Sequence, residues 1–248
     1  MIRLTPAPLL EVAPWIGDGL DEEERGALAA TLVVERVAVE PGPWIWDGRP
    51  LEVGLQIVAG RIARGLRVED AGAHGIEILG EGDLLRPWTF RGPSASAPST
   101  VDWTLMAPME CALLDHEFVA ASTRSPRLMI NVLDLAIERS RTFSYFLTAR
   151  QVSRLEGRIL LTLWHLADRW GRVSGEGVVL DLPRLTHEMI ARMIAARRPS
   201  VTTGIRHLRE LGLVETDHGG RWVLLGDPAA ALRLVDTHPA PKLDTHPA

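Results

Sequence analysis

Between residues 195 and 215 the chain reads AARRPSVTTGIRHLRELGLVE. Two arginines, Arg197 and Arg198, stand with Pro199 and the hydroxyls of Ser200, Thr202 and Thr203 ahead of an apolar stripe of Val201, Ile205, Leu208 and Leu211. Proline suits the first position of a helix, where its missing N–H has no partner to lose, so Pro199 reads as N1. An arginine at a helix start can bridge guanine O6 and N7 or clamp a phosphate with two donors. Serine and threonine hydroxyls, with the open N–H groups of the first turn, suit phosphate oxygens. The plainer reading is an arginine pair that only solvates a loop.

Other chemistries find less support. HEMIAR (187–192) begins like the H-E-x-x-H zinc motif, but Ala191 takes the second histidine's place. Neither a glycine-rich phosphate loop nor a nucleophile elbow is present. Cys111 is the single cysteine and lies in an apolar stretch, where a buried thiol is inert. His74 and His116 have the chemistry of haem ligands but stand alone near turns, where histidines are usually solvated. Trp44, Trp46, Trp88 and Trp103 suit either the lining of an apolar pocket or plain core packing. No catalytic residue, metal site or cofactor is expected.

The charge is unevenly spread. The 248-residue chain carries a net charge of -5, yet residues 150–225 hold 12 Arg against 8 Asp and Glu, while residues 1–149 hold 13 basic against 21 acidic side chains. A polyanionic partner is therefore expected for the second part only. No apolar run is long enough to span a bilayer, and MIRLTPAPLLEVAPW lacks a secretory core, so no membrane association is expected. One cysteine fits a reducing cytoplasm.

The elements that would position these groups follow from periodicity. DGLDEEERGALAATL (18–32) reads as a helix capped by Asp21. From 33 to 116, short apolar stretches separated by Gly, Pro and Asp every 8–12 residues predict a small antiparallel barrel or sandwich. FRGPSASAPST (90–100) reads as a mobile loop. In residues 127–148, Met129, Val132, Ala136, Phe143 and Phe146 form a helical stripe interrupted by Arg139. It fits core packing or a coiled-coil seam between two copies equally well. Helix 156–170, hairpin 171–183, helices near 185–194 and 198–211 and hairpin 213–225 then have the order of a winged helix-turn-helix. Thr186 reads as the N-cap of the motif's first helix. The tail from Gly226, with DTHPA repeated at 236–240 and 244–248, is expected to lack order.

LTHEMIARMIAARRPSVTTGIRHLRELGLVE and the preceding LTLWHLADRWGRV resemble the helix-turn-helix of the cAMP receptor protein/FNR (Crp/Fnr) family of bacterial transcription regulators. The resemblance is close over 155–225 and architectural over 1–150. It implies an α+β fold: a β jelly-roll sensor like cyclic-nucleotide-binding domains (1–126), a dimerisation helix (127–150), a winged helix-turn-helix (151–225) and the tail (226–248). It moves the 127–148 stripe toward a dimer seam. It implies a homodimer on an inverted-repeat operator in double-stranded DNA, with RNA polymerase a candidate partner. Arg198 falls where the family reads a base, Pro199 where many members have a glutamate, Thr203 where a second arginine stands, and Ala195 at a usual turn glycine. Arg206 is expected on phosphate, and Thr186 and His187 as donors to the backbone. With Arg197, Ser200 and Thr202 these make up the expected DNA interface. Relatives that bind cyclic nucleotides have Gly-Glu after Gly-Asp, and later Arg-Ser/Thr-Ala. Here Arg86 and Pro87 follow Gly82-Asp83, and Ser99-Thr100-Val101 takes the later site, with Arg91 the nearest guanidinium, so cAMP binding is not expected. The effector is unassigned, and a winged-helix module that senses a ligand or binds protein with little DNA specificity is the alternative.

Overall fold

The computed structural model describes residues 3–68, 73–88 and 99–238. In chain order the elements are β1 (Arg3–Pro8), α1 (Leu9–Val12), a 3₁₀ turn (Pro14–Gly17), α2 (Glu22–Thr31), β2 (Val33–Val39), β3 (Gly42–Trp44), β4 (Gly54–Ala59), β5 (Arg61–Val68), β6 (Ala73–Gly80), β7 (Leu84–Leu85), β8 (Ser99–Leu105) and β9 (Met109–Leu114). There follow α3 (His116–Arg124), α4 (Arg127–Ala149), α5 (Leu155–Trp170), β10 (Gly171–Ser174), β11 (Gly177–Leu180), α6 (His187–Met193), α7 (Arg198–Glu210), β12 (Val214–Thr216), β13 (Trp222–Leu224) and α8 (Pro228–Thr237). Two compact units, residues 1–143 and 144–248, divide inside α4.

The first unit is a two-sheet roll, ordered β1-β2-β9-β4-β7 and β3-β8-β5-β6. Alternation along the strands sends Val37, Leu55, Ile57, Cys111 and Leu113 of one sheet and Ile62, Leu79 and Leu105 of the other into a shared core. Trp44 is buried there, and Trp46, Trp88 and Trp103 pack against it. A second core lies where Val34, Ala112 and Leu114 meet Leu9, Ile16, Leu28, Phe118, Leu128 and Val132 of the helical segments. Asp21 caps α2 by accepting from the Glu24 N–H at 2.8 Å, and Glu24 returns the bond in a capping box. Of the expected loop 90–100, Ser99 and Thr100 instead open β8, paired with Val68 and Arg67 of β5; Arg91 and the rest lie outside the described residues.

Helix α4 divides the expected stripe, with Ala136 and Phe143 exposed and its first members in the core. Val132 of the expected seam is buried in the first unit's own core, with Met129 packed against it. Arg139, which broke the stripe, holds the Glu77 carboxylate through Nε and Nη2, both at 2.8 Å. The large apolar side chains that α4 exposes are Ile130 (44%), Leu133 (57%), Ile137 (41%) and Leu147 (60%), with Phe143 (38%) of the expected stripe. The tail differs too. Asp227 Oδ1 accepts from the Ala230 N–H at 2.8 Å and caps α8, which buries Ala231 and Val235, so the chain is helical over Pro228–Thr237. Of the two DTHPA copies, all beyond His238 lies outside the described residues. Among the described residues no helix is long and apolar enough to cross a membrane.

Candidate nucleic-acid interface

In the second unit, buried α5 carries the motif. Gly204 of α7 is a close approach: a Cβ there would lie 2.9 Å from Ile159 Cδ1, so glycine lets the two helices meet. Val201, Ile205 and Leu208 bury the same face of α7. β10, β11, β13 and β12 form a four-stranded sheet beside the helices. Trp222 ties it in by donating from Nε1 to the Leu185 carbonyl at 3.1 Å, just ahead of α6.

The turn between α6 and α7 is a tight helix stop. Ala195 adopts φ +53°, and the Ala196 N–H bonds the Ala191 carbonyl at 2.9 Å, closing a Schellman-type end. Helix α7 ends the same way with Gly212 at φ +66° and Leu213 N–H on the Leu208 carbonyl at 2.9 Å. Glycine enters this region freely, whereas the Cβ of Ala195 is crowded there.

Helix α7 begins at 198, as its expected span had it, but the expected place of Pro199 within it is off by one. Arg197 is its N-cap without a side-chain capping bond, Arg198 is the first helical residue, and Pro199 therefore sits at N2. The first intrahelical bond runs from Val201 N–H to the Arg197 carbonyl at 3.1 Å. The N–H groups of Arg198 and Ser200 thus point out of the helix start with no carbonyl of the helix to meet. Arg197, Arg198, Ser200, Thr202 and Arg206 are exposed, and Thr203 and His187 are half-buried. Arg206 stays near Glu210, 3.8 Å away on the next turn.

Thr186 and His187 are less free than expected of backbone donors. Thr186 Oγ1 caps α6 by accepting from the Met189 N–H at 3.2 Å, which leaves its hydroxyl proton to donate. Thr202 Oγ1 donates to the Arg198 carbonyl at 3.1 Å and lies 3.0 Å from His187 Nδ1. With the one hydroxyl proton committed, these contacts assign the proton between them to Nδ1. Burial, with the guanidiniums of Arg209 and Arg198, holds the His187 pKa below the ordinary histidine value. Its ring lies against Trp222, centroids 5.6 Å apart, and Arg209 sits over the same indole at 5.9 Å. Sequence spacing did not reveal this group, because its members meet only after the wing folds back.

The wing turn was legible only in its HGG. Asp217 accepts from the N–H groups of Gly219 (2.9 Å) and Arg221 (2.8 Å) and from Arg221 Nε (2.7 Å). These bonds, the Arg221 N–H first, hold its carboxyl below the usual range. An Asp two residues before Gly-Gly was the available signal.

Elsewhere, His74 and His116 are both exposed, and no group of three metal-ligating side chains occurs among the described residues. Burial, assisted by Glu110, pushes the Cys111 thiol far up, away from thiolate chemistry.

Residues 157–233 match the model of the Crp-like helix-turn-helix domain. Among solved structures, the chain is similar to a CooA mutant from Carboxydothermus hydrogenoformans (TM-score 0.63, 18% identity, 94% of this chain and 97% of that one). It is also similar to FixK2 from Bradyrhizobium japonicum (0.59, 14%, 84% and 98%) and to the c-di-GMP responsive global regulator CLP from Xanthomonas campestris (0.59, 17%, 84% and 100%). No curated protein matches the sequence. Roll, long helix and winged domain give the chain the fold of these structures. Residues 157–233 are its Crp-like helix-turn-helix domain.

Proposed function

We propose that this chain is a transcription regulator that binds DNA as a homodimer, laying one α7 helix in the major groove of each half of an inverted repeat. The observation that carries this reading is the start of α7: an arginine-led helix end with no side-chain cap, exposed within a Crp-like helix-turn-helix domain. Arg198 is the base reader, Arg197, Ser200 and Arg206 meet phosphate, Thr186 donates to the backbone, and Thr202, Thr203 and His187 complete the surface. The exposed Ile130, Leu133, Ile137 and Leu147 recur at heptad spacing and support a seam between two copies of α4. RNA polymerase is a candidate partner, the cytoplasm the compartment, and no enzymatic role is proposed.

The β domain takes the sensor role without cAMP. Gly82, at φ +88°, and Asp83, whose carboxylate accepts from the Gly80 N–H at 2.8 Å, form a tight turn at the Gly-Asp step. Arg86 and Pro87 then stand where a ribose-binding glutamate is needed, so a buried phosphodiester lacks its partners. The test is gel retardation on DNA selected from random sequence. Affinity should fall linearly on a log–log plot with salt, and footprints should show two half-sites about 34 Å apart. Salt-independent binding or a single half-site would refute the reading, and micromolar binding of cAMP by calorimetry would refute the sensor assignment.

A further inference from the structure

One rung of the β3-β8-β5-β6 sheet carries an unusual row of side chains. Trp44 of β3 lies directly opposite Trp103 of β8, Trp103 opposite Arg64 of β5, and Arg64 opposite Glu77 of β6. Residues directly opposite across a sheet share a face, and strands stand about 4.8 Å apart, so two indoles, a guanidinium and a carboxylate line the inner face with Trp44 and Arg64 about 10 Å apart.

Among the described residues the charges in this row do not balance. Arg139 of α4 takes both Glu77 oxygens at 2.8 Å and also donates to the Leu84 carbonyl at 3.0 Å. Arg64 shares only Glu77 Oε2, at 2.9 Å. Two guanidiniums therefore face one carboxylate, and both lie near the Phe143 ring, at 5.9 and 5.7 Å. The Arg64 side chain is only 24% exposed, and burial holds its pKa below the ordinary arginine value despite Glu77. A cation in such a place is costly unless a counter-charge joins it. At the other end of the row the buried Trp44 Nε1–H has no acceptor among the described residues, although buried indole N–H groups usually find one.

We propose that this face binds a small aromatic carboxylate, with its ring on the Trp103 indole, its carboxylate on Arg64 and an acceptor atom within reach of Trp44 Nε1. A surplus of one positive charge matches a monoanion; a phosphate monoester would bring a second charge with nothing to meet it. The planar guanidinium suits a carboxylate bidentately, and the indole row suits a flat ring. The inference rests on the sensor role of the β domain and supplies the ligand class which that role lacks.

The test is calorimetry on the full-length protein with phenylacetate, indole-3-acetate and 1-naphthoate, against phenylacetamide, acetate and inorganic phosphate. At least one aromatic carboxylate should bind saturably, and the counter-probes should not. Arg64→Gln should weaken that binding about tenfold or more, with Arg64→Lys between, as expected for loss of a charge-assisted pair. Trp103→Leu should weaken it while leaving Arg64 and Glu77 in place, which covers the case that the Arg64 variants fail to fold. Absence of binding by all three carboxylates, equal binding of phenylacetamide, or unchanged affinity in a folded Arg64→Gln protein would overturn the proposal. DNA retardation on the same samples reports the regulator reading separately, so either can fail alone.

Discussion

His187 Nδ1 lies 3.0 Å from Thr202 Oγ1, so the start of α6 and the front of α7 are joined by one side-chain hydrogen bond across the helix-turn-helix. The same threonine is anchored to the Arg198 carbonyl, which places this bond one turn behind the arginine that would read the bases. Thr202 is thereby a positioning residue as well as part of the exposed surface.

Thr202→Val keeps the shape and removes the hydroxyl. A hydrogen bond of this kind contributes about 1 kcal/mol net, so operator affinity should drop about fivefold, and Thr202→Ser should restore most of it. Equal binding by the valine variant in retardation assays would show that the bridge does not position α7.

The His187 assignment predicts opposite pH effects on folding and on binding. Its folded pKa is lowered, so the native state resists protonation. The stability it contributes is fully present above the ordinary histidine pKa near 6.5 and declines as pH falls through that value. With Nδ1–H given to Thr202, neutral His187 offers phosphate only a lone pair at Nε2, and the imidazolium alone can donate there. Operator affinity should therefore rise between pH 7.5 and 6 while the melting temperature falls, and His187→Gln should flatten both trends. A parallel slope in wild type and variant sinks the assignment.

Arg198→Ala should weaken operator binding by about 1–3 kcal/mol and relax selectivity at one base pair in each half-site. Selection from random DNA with wild type and variant checks both parts. Arg206→Ala, by contrast, should weaken all sequences alike and lower the salt slope by about one.

Ala195 sits at φ +53° in a turn whose counterpart after α7 uses Gly212. Ala195→Gly relieves a left-handed crowding of about 1–2 kcal/mol but loosens the unfolded chain by about 0.5–1 kcal/mol, so a net gain of about 0.5–1 kcal/mol is expected. Denaturant unfolding reads it directly, and no gain would mean that Ala195 is not strained.

Leu133→Glu places a charge in the middle of the exposed face of α4 while sparing Val132 in the core. Sedimentation should show monomers, and operator affinity should fall by more than about tenfold because two half-sites can no longer be engaged together. A dimer that survives this change would move the interface elsewhere.

The winged domain was largely readable because its signals are local. Thr186 as a cap, Pro199 in a first turn and glycines at hairpin turns each act over a few residues, and the error at Pro199 was one position. The face of α4 was not readable, because two neighbouring stripes are apolar and periodicity alone does not say which one the chain keeps for its own core. Arg139 looked like an interruption until Glu77 of a distant strand gave it a partner. Helix α8 was missed because Pro228 next to a repetitive tail reads as a breaker, whereas a proline in a first turn after Asp227 suits a helix start. The cluster of His187, Trp222 and Arg209 needed three elements to come together.

Helix α8 also sets where the helix-turn-helix unit stops packing. Ala231 and Val235 are buried, Leu232 reaches over Gly157 of α5, and Asp236 lies 3.5 Å from Arg154. A fragment trimmed at Leu225, where the second wing strand closes, would uncover a greasy flank of α5 and invite clumping. A soluble piece for operator studies must extend through Thr237.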